Sequence, residues 1–112
     1  LGMFVEYTRY IHHARYKDDY EDVFKEFEAM QQTPLLLLDD ICSGKMSDFA
    51  REQTYLLLNS RYNKGLSTVI TSNISLKILM DDELLGRRSV SRISNNLLNI
   101  EIKGKDRRVE LR

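Results

Sequence analysis

The sequence predicts an α/β fold whose sheet is mainly parallel. Three observations predict it: short apolar segments alternate with amphipathic helical segments, one run of four leucines has no polar alternation, and polar residues follow the apolar segments abruptly. An unbroken apolar run is typical of a strand covered on both faces, as in a parallel sheet. Strands that alternate with helices indicate parallel strands joined by helical crossovers.

Length and composition predict one domain, spanning residues 1–112. Hydrophobic residues make up 42% of the chain and charged residues 30%, which is typical of a globular protein. The single cysteine, Cys42, excludes a disulfide framework and is ordinary in a reducing compartment, so we expect a cytoplasmic protein. The longest purely apolar run, Leu35–Leu38, is too short to cross a bilayer, so we expect no membrane partner.

Charge is balanced overall but uneven along the chain. The net charge of +0, from 17 basic and 17 acidic residues, argues against strong nonspecific DNA binding by bulk charge. Residues 18–28 are mainly acidic, whereas residues 87–112 are mainly basic. The basic segment could face phosphate, although such segments are more often solvated surface.

In the first part of the chain, the pattern predicts a strand, a long helix and a second strand. Gly2–Tyr7 is short and apolar, as in a strand. Residues 11–32 carry apolar side chains at spacings of three and four, which predicts one amphipathic helix that ends before Pro34. Leu35–Leu38 is the second strand. The apolar positions of the helix are Tyr16, Tyr20, Val23, Phe24, Phe27 and Met30.

The second part of the chain continues the alternation. Ser47 is a typical N-cap for a helix that reaches about Asn63, and Gly65 is the usual residue beyond a helix end. The β-branched segment Thr68–Thr71 predicts a strand. Three further segments follow in chain order: a short helix from Ser75 to Leu85, a helix from Arg87 to Ser94 and a strand from Leu97 to Lys103.

Polar residues follow two of these strands directly. Asp39 and Asp40 follow Leu35–Leu38, and this arrangement matches the Walker B pattern. A buried strand would hold Asp39 where it can bind Mg²⁺, and Asp40 could orient the water that attacks a γ-phosphate. Asn73, after the neighbouring strand, could hold that water or a phosphate oxygen by its amide. Each of these residues could equally be part of an ordinary polar turn.

Arginines and histidines give further candidates. Arg87, Arg88 and Arg92 lie in one helical segment, and a guanidinium group matches phosphate geometry, although most single surface arginines are only solvated. His12 and His13 are adjacent, so they point in different directions on a helix and make a poor metal pair.

Three sequence blocks, in this order, resemble the DnaC/DnaI-like helicase loaders and their IstB-like relatives, which are AAA+ ATPases. The blocks are LLLLDDICSGKMSDFAREQTYLLLNSRYNKGLSTVITSN, LLGRRSVSRI and IEIKGKDRR, and they cover roughly residues 35–108. Residues 2–32 also fit the second strand and following helix of that family. The resemblance implies a P-loop NTPase fold of the AAA+ class, here a partial three-layer sandwich running from Walker B to sensor 2.

The resemblance implies a role for individual residues. Asp39 takes the place of the Walker B magnesium ligand, and Asp40 that of the usual catalytic glutamate. Asn73 takes the place of sensor 1. Arg92 resembles the arginine finger, which acts on nucleotide bound to a neighbouring subunit. Two basic residues compete for the sensor 2 position, Arg108 first and Arg107 as the alternative.

The cofactors and partners are implied by the same resemblance. ATP and Mg²⁺ would be bound by the full-length parent, which would form a homo-oligomer, bind single-stranded DNA and deliver a replicative helicase to it. Two other functions stay open: an IstB-like transposition helper, and a non-catalytic interaction module. Residue spacing does not fix the DNA contacts, for which Lys45, Arg51 and Arg61 are candidates as exposed bases.

The phosphate-binding loop of the family is not found in these residues. A P-loop requires GxxxxGK[ST], but the two Gly-Lys pairs, Gly44-Lys45 and Gly104-Lys105, are followed by Met46 and Asp106. We therefore expect a carboxyl-terminal part of the ATPase domain that lacks the first strand, the P-loop and the first helix, and is inactive alone. The missing strand would leave the edge of Thr68–Thr71 unpaired, so we expect aggregation, rearrangement or pairing with another chain.

Overall fold

The computed structural model describes residues 2–16 and 20–94, which form three strands and five helices in an alternating order. In chain order these are β1 (Gly2–Glu6), α1 (Tyr7–Tyr16), α2 (Tyr20–Gln32), β2 (Leu35–Asp39), α3 (Asp48–Lys64), β3 (Ser67–Ile70), α4 (Leu76–Leu79) and α5 (Arg87–Ser94). The predicted α/β class is therefore confirmed. Within the described ranges, no helix combines the length and the apolar character that crossing a bilayer requires.

The three strands form one parallel sheet in the order β1-β2-β3. Leu38 of β2 lies between Val5 of β1 and Ile70 of β3, and this register places the carboxyl ends of all three strands along one edge. The predicted parallel sheet is confirmed, and the loops that follow the strands meet at that edge.

One face of the sheet is buried. Leu36 and Leu38 are fully buried and belong to one core cluster that also contains Val5, Met30 and Leu57. The other face leaves side chains exposed, as shown by Phe4 (67%), Leu35 (47%) and Val69 (47%). The expectation that Leu35–Leu38 is covered on both faces is therefore wrong for the described part of the chain, because the alternating side chains point to opposite faces and the core cluster meets only one.

The single helix predicted over residues 11–32 is wrong, because two helices, α1 and α2, occupy this segment. The inward stripe of α1 includes Tyr10 and Ala14, and that of α2 includes Val23 and Met30. Ala14 and Val23 are nine residues apart, or about 900° of helix, so one continuous helix would point the two stripes in opposite directions. Separate helices allow both stripes to face the core.

Two aromatic side chains of this segment also differ from the predicted apolar stripe. Tyr16 and Phe24 are 66% and 65% exposed. Both lie outside the stripes that the two helices bury, so spacings of three and four residues across the predicted helix assigned them to the wrong face.

Helix α3 follows the predicted local signals closely. The Ser47 side chain accepts a hydrogen bond from the Ala50 amide, as an N-cap does. Gly65 ends the helix with a φ of 68°, a left-handed conformation that glycine adopts without a Cβ clash. The helix therefore runs antiparallel to the strands, from the end of β2 back toward the start of β3.

The elements after β3 agree in part with those predicted from the sequence. Ser75 caps α4 as predicted, but the helix stops at Leu79 instead of Leu85, because Asp81 accepts a hydrogen bond from the Glu83 amide and forms a turn. The helix predicted from Arg87 to Ser94 is confirmed as α5. The predicted strand from Leu97 to Lys103 lies outside the described residues.

Candidate functional site

A hydrogen bond joins the ends of β2 and β3 at the candidate site. The Thr71 hydroxyl, directly after β3, donates to Oδ1 of Asp39, the last residue of β2, at 2.6 Å. The same hydroxyl accepts a hydrogen bond from the Asp40 amide at 3.0 Å. The Asp39 carboxylate is thus tied to the neighbouring strand at the edge where the parallel strands end.

The backbone changes direction at Asp40. Its φ of 54° is the one positive value found at a non-glycine residue within the described ranges. In a regular parallel ladder the Asp40 amide would donate to the Thr71 carbonyl. Here the Ile41 amide donates to that carbonyl instead, at 3.1 Å. The Asp40 carbonyl accepts a hydrogen bond from the Thr8 hydroxyl at 3.0 Å, so all three strand ends contribute to this turn.

Asn73 lies two residues beyond Thr71 on the same edge of the sheet. The Ser72 hydroxyl accepts a hydrogen bond from the Ile74 amide at 2.9 Å and shapes the turn around Asn73. The Asn73 side chain is exposed and has no hydrogen-bond partner within residues 2–16 and 20–94. The structure therefore brings Asp39, Asp40 and Asn73 to one edge of the sheet, while their chemical roles stay predictions.

The side chains at this edge would supply two carboxylates of a magnesium site, whose other ligands would be water or phosphate oxygens. Carboxylate and amide oxygens are the hard donors that Mg²⁺ prefers. The described residues contain no group of three or more acidic, histidine or cysteine side chains that could hold a metal ion by themselves. Mg²⁺ commonly binds one or two carboxylates and completes its shell with water and phosphate oxygens, and Asp39 and Asp40 fit that arrangement.

Arg92 contacts α3 and none of the residues at this edge. Its Nε donates to Asn59 Oδ1 at 2.8 Å, and its guanidinium carbon lies 5.1 Å from the centre of the Tyr62 ring. Asn59 and Tyr62 belong to the last turns of α3, which end next to the start of β3. Arg92 therefore packs against the later turns of α3, and the described contacts do not join it to Asp39 of the same chain.

The other predicted arginines are divided between surface and undescribed residues. Arg88 stacks on Tyr55 at 4.0 Å and pairs with Glu52 at 3.2 Å, whereas Arg87 is exposed and has no partner within the described ranges. The two sensor 2 candidates, Arg107 and Arg108, lie outside the described residues.

Arg61 contradicts its assignment as an exposed base. It is 1% exposed, and the only cause of its lowered pKa is burial. Its guanidinium donates to the carbonyls of Met30 and Thr33 at 2.8 and 2.7 Å, and to the Ser67 carbonyl at 2.6 Å. It therefore joins the end of α2 to the start of β3, so it is no candidate for DNA contact.

The other two DNA candidates are engaged in surface ion pairs. Lys45 lies 3.4 Å from Glu83, and both side chains are largely exposed. Arg51 is partly buried, pairs with Asp48 and donates to the Met46 carbonyl. Neither contact prevents an exposed nitrogen from meeting a phosphate, so both remain predictions.

Sequence reasoning missed Thr71 and the burial of Arg61. A hydroxyl residue at the end of a β-branched strand is a weak signal for Thr71, because its partner depends on the register between strands. A clearer signal existed for Arg61. It continues the stripe of Ala50, Thr54 and Leu57 at intervals of three and four residues, all of them buried.

Two protonated groups lie in the segments that directly follow the strand ends. The Tyr7 hydroxyl lies 2.8 Å from the Thr54 hydroxyl, and burial raises the pKa of Tyr7. Burial also raises the pKa of the Cys42 thiol, which donates to the Gly44 carbonyl at 3.1 Å. Both groups stay neutral near pH 7, so they hold the β1–α1 junction and the loop after Asp40 without adding charge.

Comparison with known proteins gives one similar structure. No protein-family model and no curated protein matches the sequence. The structure is similar to the crystal structure of the DnaC helicase loader, with a TM-score of 0.68 and 31% sequence identity over 81% of this chain and 55% of that one. The chain has a DnaC-like fold. It spans just over half the length of that loader, and its parallel sheet and helices match part of a P-loop NTPase-like domain.

Proposed function

We propose that this chain forms the magnesium- and sensor-bearing part of an AAA+ ATPase that acts as a DnaC-like helicase loader. The observation that carries the proposal is the hydrogen bond of 2.6 Å between Asp39 and Thr71, which ties Asp39 to the strand end that Asn73 follows. The likeness to the DnaC helicase loader favours this function over that of a transposition helper.

Each side chain at the strand edge would have a different role in phosphoryl transfer. Asp39 would hold Mg²⁺, which neutralises charge on the phosphate oxygens when it is bound with ATP. Asp40 would accept a hydrogen bond from the attacking water and orient it. The free amide of Asn73 would donate to that water or to a γ-phosphate oxygen. Aspartate is one methylene shorter than the usual glutamate, so Asp40 needs the water close to the backbone turn.

Arg92 supports an oligomeric arrangement. It contacts none of the residues at the strand edge, and its stacking on Tyr62 and its bond to Asn59 hold it against α3. An arginine in this place would act on nucleotide bound to a neighbouring copy, as a finger supplied in trans does. Arg108, with Arg107 as the alternative, would contact the phosphates as sensor 2.

Helix α1 supports a contact with single-stranded DNA. Its solvent side exposes basic, histidine and aromatic side chains and carries no acidic residue. Tyr16 is the exposed aromatic, and the rings of His12 and Tyr16 lie 4.9 Å apart with the Arg15 guanidinium 5.6 Å from Tyr16. Exposed aromatic rings beside cations are typical of surfaces that stack bases and follow a phosphate backbone. The replicative helicase would be the protein partner.

ATP hydrolysis tests the proposal in a protein in which a strand, a GxxxxGK[ST] loop and a helix precede this chain. We expect hydrolysis that depends on Mg²⁺, and a loss of at least about a hundredfold in Asp39→Ala, since a metal clamp supplies several kcal/mol to the transition state. Lys64→Ala is the control, because Lys64 is exposed at the end of α3 and contacts none of these residues. Equal turnover in Asp39→Ala and the unaltered protein would refute the proposal.

The same assay tests the arginine finger. Arg92→Ala should lower turnover while ATP affinity stays within about twofold, because a finger acts on the transition state of a neighbouring site. Full activity of Arg92→Ala would show that another residue supplies this charge.

A further inference from the structure

The Thr71 hydroxyl occupies a position that decides where the Asp39 carboxylate points. It lies between two groups of the neighbouring strand, the Asp39 carboxylate at 2.6 Å and the Asp40 amide at 3.0 Å. We propose that Thr71 is a positioning residue, which holds Asp39 in the orientation that binds a divalent cation. This inference rests on the proposed function, since it concerns the same carboxylate.

The direction of the two hydrogen bonds follows from the groups themselves. An amide N–H can only donate, so the Thr71 oxygen accepts from Asp40. The single hydroxyl hydrogen of Thr71 is then directed to the carboxylate, which can only accept when ionised. Oδ1 of Asp39 is thereby fixed, and Oδ2 has no hydrogen-bond partner within the described ranges.

The same hydroxyl also shapes the turn that carries Asp40. The hydroxyl accepts the hydrogen bond of the Asp40 amide, so the Thr71 carbonyl accepts instead from the Ile41 amide at 3.1 Å. The chain departs from the regular ladder at Asp40, whose φ is 54°. A residue without a hydroxyl at this position would leave the Asp40 amide and Asp39 Oδ1 without these partners. Valine has nearly the same shape as threonine, so it removes the hydroxyl alone, whereas serine retains it.

The variants Thr71→Val and Thr71→Ser test this inference in the 112-residue chain by NMR. The first measurement is the Hα–Hβ coupling of Asp39, which reports its χ1 rotamer. We expect one rotamer in the unaltered chain and in Thr71→Ser, and averaged couplings in Thr71→Val. Thr33→Val is the matched control, because the Thr33 hydroxyl donates to the Leu35 carbonyl at the opposite end of β2.

The second measurement is the paramagnetic broadening of the residue 39–41 amides by Mn²⁺ alone. We expect the Mn²⁺ concentration that gives half of the full broadening to rise at least about tenfold in Thr71→Val, the effect of one hydrogen bond to a charged group, and to return to its original value in Thr71→Ser. Thr33→Val should behave as the unaltered chain does, and Asp39→Asn should lose the broadening.

The outcomes separate the inference from the proposed function. Broadening that is lost in Asp39→Asn but unchanged in Thr71→Val, with a single Asp39 rotamer in both threonine variants, would refute the positioning role and leave the metal site standing. Absence of site-specific broadening in the unaltered chain would refute the metal site and the role of Thr71 together. Failure of Thr71→Ser to restore both readings would also refute the inference, because serine keeps the hydroxyl.

Discussion

Buried Arg61 is the residue on which the junction of α2, α3 and β3 depends. Its guanidinium satisfies the Met30 and Thr33 carbonyls near the end of α2, where backbone acceptors have no intrahelical donors. It also donates to the Thr68 hydroxyl at 2.8 Å. The carbonyl dipoles at the end of a helix favour a cation, which offsets part of the cost of burying this charge.

Replacing Arg61 should therefore destabilise the fold. We expect Arg61→Ala to lower the free energy of unfolding by about 3 kcal/mol, because several buried acceptors lose their donor at once. Lys64→Ala, an exposed position at the end of the same helix, should change it by less than about 0.5 kcal/mol. Urea denaturation followed by circular dichroism measures both values. A loss below about 1 kcal/mol in Arg61→Ala would show that water replaces the guanidinium.

The residues at the strand edge could be predicted from the sequence, whereas their partners could not. Asp39 and Asn73 follow apolar segments, and the carboxyl ends of parallel strands share one edge, so local pattern was sufficient. The Thr71–Asp39 bond depends on the register between β2 and β3, and the burial of Arg61 depends on where α2 ends. The spacing of neighbouring residues predicts neither the bond nor the burial.

At the scale of elements, β3 has one described neighbour in the sheet, as β1 does. It pairs with β2, and the amides of Ser67 and Thr71 donate to the Pro34 and Leu38 carbonyls at 3.3 and 3.0 Å. Because a strand directs successive amides to opposite sides, the amides of Thr68 and Ile70 point away from β2.

Hydrogen exchange should follow this alternation. We expect slow exchange at the amides of Val69 and Thr71, and exchange at least about a hundredfold faster at Thr68 and Ile70, in a chain that light scattering shows to be monomeric. The residues of β2 serve as the internal control, since β2 has a neighbour on each side. Slow exchange at all four positions in a proven monomer would show that another strand covers this edge.

Element boundaries were predicted correctly where a single residue determines them. Ser47 and Gly65 delimit α3 by side-chain capping and by a positive φ, both of which depend on one residue. The division between α1 and α2 depends on the phase of two stripes against a common core, and the early end of α4 depends on a single Asp81 turn. Periodicity over residues 11–32 could not distinguish one helix from two.

At the scale of the whole molecule, the proposed function requires the ends of β2 and β3 to face the same nucleotide. The sheet order and register place Asp39 beside Thr71, and the likeness to the DnaC helicase loader places this sheet in a P-loop NTPase-like fold. Arg92, which packs on α3 and contacts neither strand end, would then serve a neighbouring copy.

The most direct test is paramagnetic broadening by Mn²⁺·ATP in a protein in which a GxxxxGK[ST] segment precedes this chain. The amides of residues 39–41 and 71–73 should broaden together, at the lowest Mn²⁺·ATP concentrations, because both strand ends would lie next to the bound metal. Those of Leu35 and Ser67, at the far end of the same strands, should stay sharp. Broadening at one strand end without the other, or first at Leu35 and Ser67, would contradict the account.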